Sequence, residues 1–151
     1  SNFLNIGNLI FATGVNTATG TAISTGNVGI GTSWPSYRLQ VEGSVGAYAY
    51  YYISGRDFKE EIEKFEDEEL LEKISKLQII KYRLKGEDKK QIGLIAEELE
   101  KIFPELVIEK DNKRSVDLAG LVAVLIETIN TLEKKVWLLE NEVRYLKEVI
   151  K

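Results

Sequence analysis

From Val122 to the end of the chain, apolar residues recur at alternating steps of three and four. Val122, Ile129, Val136, Val143 and Ile150 take heptad position a, and Leu125, Leu132, Leu139 and Leu146 take position d. Four unbroken heptads predict a coiled-coil helix, whose seam is buried only against another helix. The flanks agree with a parallel, in-register pairing: Lys135 at g faces Glu140 at the following e, and Glu142 at g faces Lys147. The competing reading is a single buried helix of a monomeric bundle. β-branched residues at a with leucine at d favour two strands. Trp137, Leu138 and Tyr145 sit at b and c, outside a simple seam, and widen the apolar face as contact with more than one partner would require. The heptads alone leave dimer and trimer open.

Upstream, the composition changes sharply near Ser54. Before it the only charged residues are Arg38 and Glu42, and eight of the twelve glycines lie there. Asn27-Val28-Gly29-Ile30-Gly31-Thr32 and Arg38-Leu39-Gln40-Val41-Glu42 alternate as short strands do, with Pro35 and Gly43 as punctuation. A monomer of this composition has few large side chains to bury and many open strand edges. Intertwined identical chains would pair those edges and pack the small residues on a shared axis. A Gly/Thr/Ser linker is the competing reading for residues 1–25. Tyr48 to Ile53 is expected to form a last aromatic strand.

The second half predicts mixed local structure. A helix is expected over Asp57 to Phe65, with Phe58, Ile62 and Phe65 at helical spacing. Asp67 can cap another, carrying the stripe Leu70, Leu71, Ile74 and Leu77. Leu77 to Leu84 and Gln91 to Ile95 read as a hairpin around Lys85-Gly86-Glu87-Asp88. Ala96 to Ile102 is a short helix that Pro104 stops. Leu106 to Ile108 and Arg114 to Val116 make a second hairpin around Asp111-Asn112, and Asp117 caps the terminal helix.

Several classes of chemistry are excluded or disfavoured. The chain has no cysteine and no histidine, so it lacks thiolate metal sites, disulfides and the commonest general base; no metal or cofactor is expected. A net charge of -4 argues against a nucleic-acid surface. No apolar run approaches the ~20 residues of a membrane span. With no methionine at all, the chain is expected to be a piece of something longer.

Three ordered motifs carry a resemblance. Gln91-Ile92-Gly93-Leu94-Ile95-Ala96-Glu97-Glu98-Leu99 with Phe103-Pro104-Glu105-Leu106-Val107, then Ser115-Val116-Asp117-Leu118 with Leu121, and Leu71 through Tyr82 resemble the intramolecular chaperone of phage tailspikes and tail fibres. This self-cleaving endopeptidase domain is carried by phage endosialidases and by the myelin regulatory factor of animals. Gly26 to Thr32 with Tyr37 to Val41 resembles the shaft repeat that often precedes it. The resemblance implies a homotrimer in which the domain holds three chains in register while a β shaft forms, and is then cut away. It also implies a place at the end of a virion tail fibre or on a bacterial surface. The chaperone part would be made in the host cytoplasm, and missing upstream parts would meet any cell-surface receptor.

The family begins with Ser-x-Arg-x-x-Lys and cuts just before the serine. Here the stretch is Ser54-Gly55-Arg56-Asp57-Phe58-Lys59, with Gly55 where the stricter motif has aspartate. The implied roles are Ser54 as nucleophile, Lys59 as base and the Ile53–Ser54 bond as the cleavage site. A serine hydroxyl needs a base to take its proton, and a lysine can serve only when neutral, which desolvation favours. The bland alternative is a flexible Ser-Gly joint with Lys59 paired to Glu63 one helical turn on. The resulting expectation is an α+β chain. Residues 1–53 form an intertwined β-rich trimeric shaft tip and residues 54–121 a mixed domain of small hairpins and short helices. Residues 122–151 form a long C-terminal coiled-coil helix. Its function is chaperone and autoprotease, or alternatively a non-cleaving trimerisation knob.

Overall fold

In the computed structural model, which describes residues 3–15 and 25–150, the glycine-punctuated first half forms a four-stranded sheet. Its strands are β1 (Phe3–Ile6), β2 (Ile10–Thr13), β3 (Asn27–Ile30) and β4 (Leu39–Val41), in that spatial order. β1 and β2 join through Gly7, Asn8 and Leu9, the first two at positive φ (58° and 54°), the turn geometry that matches the twist of a tight hairpin. The Asn5 side chain accepts from Asn8 N at 2.9 Å and holds that turn. β2 pairs antiparallel with β3, while β4 returns parallel to β3, leaving β1 and β4 as edges. The alternating runs at 27–32 and 38–42 are thus strands. Of the stretch read as either shaft or linker, residues 16–24 lie outside the described residues.

Tyr48 to Ile53, expected as a last strand, belongs to no sheet, and its tyrosines are exposed. A strand exists only where a neighbouring edge takes its backbone groups, and these residues lie beside none.

The chain divides into two units, Ser1–Tyr52 and Ile53–Lys151. In the second, the helix expected over Asp57 to Phe65 is reduced to a single 3-10 turn, Arg56–Phe58. Glu61 sits at φ 50° and interrupts any continuation. Phe58, Ile62 and Phe65 find no surface to bury them, and a helix this short is marginal without one.

Beyond it, α1 (Leu70–Ser75) starts later than Asp67, yet Asp67 still organises its entry. One carboxylate oxygen accepts from Glu69 N at 3.0 Å and the other from Lys73 Nζ at 2.6 Å. β5 (Ile80–Arg83) and β6 (Lys90–Gly93) form the first hairpin, with Gly86 at φ 86° in its turn. α2 (Ala96–Glu100) ends ahead of Phe103, which Pro104 holds out of the helical region at φ −135°, ψ 76°. β7 (Val107–Lys110) and β8 (Lys113–Val116) turn at Asp111 and Asn112, both at positive φ.

These elements converge on a small core of Leu70 from α1, Leu99 from α2, Phe103, Leu106 and Val124. The last comes from α3 (Leu118–Val149), whose start is firmly specified: the Asp117 carboxylate accepts from Ala119 N at 3.0 Å and Gly120 N at 3.1 Å. Asp117 N in turn donates to Leu106 O at 2.8 Å, tying the cap to the core. A Cβ at Gly120 would lie 2.6 Å from the Leu106 side chain and 2.8 Å from the Asp117 carboxylate, so a larger residue there would push one of them aside. The described chain is therefore mixed α+β, ending in a helix of 32 residues, about 48 Å long. Only Val124 and Thr128, both in its first third, are buried.

Candidate active site

Gly55, next to Ser54, is in extended backbone, and the 3-10 turn at Arg56–Phe58 then folds the chain back. Phe58 N donates to Gly55 O at 3.2 Å and Lys59 N to Arg56 O at 3.0 Å, closing the turn. This brings Lys59 Nζ to 2.6 Å from Ser54 Oγ, the amine donating and the hydroxyl accepting. Proton transfer from the serine would use the same pair of atoms with the hydroxyl donating. Lys59 reaches Ser54, and not Glu63, because the segment between 59 and 63 is not helical. Both side chains of the pair are exposed in the single chain, as is Ile53 on the other side of the candidate scissile bond.

One feature of the turn left no mark in the residue spacing. A Cβ at Gly55 would sit 3.6 Å from the Phe58 ring, so the ring lies along the backbone that follows the serine. A second concerns support: Arg114 holds Glu100 at 2.8 Å and Glu109 at 3.0 Å, linking the second hairpin to α2. Those carboxylates, Glu100 first, hold the Arg114 pKa above its ordinary value. No local motif predicts such a contact across the fold.

All nine seam residues, Val122, Leu125, Ile129, Leu132, Val136, Leu139, Val143, Leu146 and Ile150, are exposed in the single chain, from 43 % at Leu125 to 82 % at Ile150. No helix among the described residues is long and apolar enough to cross a membrane.

The class is thus a short mixed domain that opens on a serine-lysine pair, a candidate hydrolytic centre, and closes on a helix whose apolar heptad seam is exposed in the single chain. Residues 54–108 match the family model described as the chaperone of endosialidase, of the peptidase S74 family. The match supports a C-terminal chaperone domain of the endosialidase type over these residues, and with it a chaperone role. The match begins at Ser54 and spans the turn, α1, the first hairpin and α2. No curated protein matches the chain.

Proposed function

We propose that this domain gathers three copies of a phage fibre or tailspike end through α3, holds their β segments in register, and then cuts itself off before Ser54. The observation that carries the reading is the 2.6 Å contact between Lys59 Nζ and Ser54 Oγ, at the first residue of the family match. Ser54 Oγ attacks the Ile53 carbonyl carbon while Lys59 takes the hydroxyl proton. The Ile53–Ser54 C–N bond breaks, and the proton passes to the departing Ser54 amine. Water then adds to the resulting ester, freeing an Ile53 carboxylate and restoring the Ser54 hydroxyl. The exposed seam supports the assembly half of the reading, since nine apolar side chains leave water only against other helices.

The order of events has a physical reason. Pairing β segments between chains is slow, because chain entropy is lost before contacts repay it. A helical bundle that forms first raises the effective concentration of the attached segments. Assembly would also shield the serine-lysine pair from water, making the cut conditional on a correct oligomer.

A permanent, non-cleaving knob is the second reading. The exposure of Ser54 and Lys59 in the single chain favours it, because a serine-lysine pair works only when shielded from water. Mass spectrometry of freshly expressed chain separates the two. A fragment beginning at Ser54 supports self-cleavage, and a chain that stays whole from neutral to alkaline pH leaves the knob.

A further inference from the structure

The β5–β6 hairpin is an isolated element: its strands pair with each other, and no other described strand or helix packs on it beyond marginal contact. A two-stranded hairpin standing alone is barely stable in water. Its inner face is partly covered, with Ile80, Tyr82 and Gln91 half-buried and the Tyr82 hydroxyl 3.3 Å from Gln91 Oε1. Strand alternation puts Lys81, Arg83, Lys90 and Ile92 on the other face, next to Ile79. Ile79 is 67 % and Ile92 68 % exposed. Among the described residues, Lys81, Arg83 and Lys90 hold no ion pair. The face is therefore an apolar centre with an unneutralised basic rim.

The strap that follows the 3-10 turn shows the inverse pattern. Phe58 and Ile62 are exposed, at 76 % and 50 %. Around them stand Asp57, Glu60, Glu61 and Glu63, none of which holds an ion pair among the described residues. At the strap's far end, Phe65 stays exposed and lines an open surface groove with Leu106, Ala123 and Ile126. Strap and hairpin thus carry matching apolar centres and opposite charged rims, the arrangement that selects a partner and fixes its register. Within one chain both remain exposed.

We propose that the acidic strap, residues 57–63, docks on the outer face of the β5–β6 hairpin of a second copy of this chain. The inference rests on the oligomer proposed above, since α3 supplies the second copy and raises its local concentration. Ile62 meets Ile79 and Ile92, while Glu60, Glu61 and Glu63 neutralise Lys81, Arg83 and Lys90. Because Lys59 lies on this strap and Ser54 just ahead of it, docking covers the candidate dyad with a neighbouring copy.

The chain has no cysteine, so engineered disulfides report contacts cleanly. Full chains carrying Ile62→Cys and Ile92→Cys are co-expressed, oxidised and mapped by mass spectrometry, with light scattering on the same sample. The expected product is a disulfide between the two unlike chains. Linking should be lost with Lys81→Glu, Arg83→Glu and Lys90→Glu together, lost with Glu60→Lys, Glu61→Lys and Glu63→Lys together, and regained when both sets are combined. Two results overturn the docking: an oligomer that forms no unlike-chain link, or linking indifferent to the charge exchange. A monomer by light scattering overturns both the docking and the oligomer.

Discussion

Lys59 Nζ stands 2.6 Å from Ser54 Oγ because the 3-10 turn at Arg56–Phe58 folds the chain back between them, so the contact depends on that turn and not on a helix. Ser54→Ala removes the attacking oxygen and Lys59→Ala the proton acceptor. Each should abolish release of the Ser54–Lys151 fragment, read by mass spectrometry, while leaving the oligomer intact. Lys59→Arg is the sharper variant, since arginine keeps the charge and cannot become neutral. It should also stop cleavage, and cleavage at the unmodified rate would remove Lys59 from the mechanism.

The proposed trimer, assembled through the exposed seam, sets the expected mass. Size exclusion with light scattering should return three times the 17.1 kDa chain mass. Leu132→Asp places a charge in that seam and should give monomers, and with them a loss of cleavage in a chain whose Ser54 and Lys59 are untouched. A dimer would mean that β-branched residues at a and leucine at d decide the strand number.

The core predicts where the second unit is weakest. Phe103 is 1 % exposed and belongs to the buried cluster of Leu70, Leu99, Leu106 and Val124, so Phe103→Ala should cost about 3–5 kcal/mol in denaturant unfolding. Asp117→Ala removes the acceptor for two helix N–H groups and should cost about 1 kcal/mol.

Asp67 predicts a pH dependence. Its side chain is 14 % exposed, and the Lys73 hydrogen bond, aided by Glu69 N, holds its pKa below the ordinary carboxylate value. A depressed folded-state pKa contributes stability that is present above the unfolded value and is lost as pH falls through the folded one. Thermal melts should therefore show unmodified protein losing stability on acidification below about pH 4. Asp67→Asn should start lower and lose less over the same interval. The same pairing raises the Lys73 pKa, so that contribution is retained below the usual lysine range and fades as pH rises above it.

Local features were legible wherever a residue's own neighbours satisfy it. Asp117 caps the helix two and three residues ahead, Asp111 and Asn112 turn the hairpin they lie in, and Pro104 stops the helix just before it. The failures share one cause. Phe58, Ile62 and Phe65 have helical spacing, and Tyr48 to Ile53 has strand composition, yet each needs a partner surface that the single chain does not bring to it.

By itself the sequence determined the α+β character, the two hairpins, the length and start of α3, and the apolar heptad seam along it. All of these follow from backbone periodicity and short-range hydrogen bonding. Only the tertiary structure decided that Lys59 meets Ser54 across a 3-10 turn, that Gly120 lies against Leu106, and that Arg114 joins Glu100 to Glu109. Those contacts depend on how the chain turns and packs, and the identity of the residues between two positions does not specify the distance across the fold.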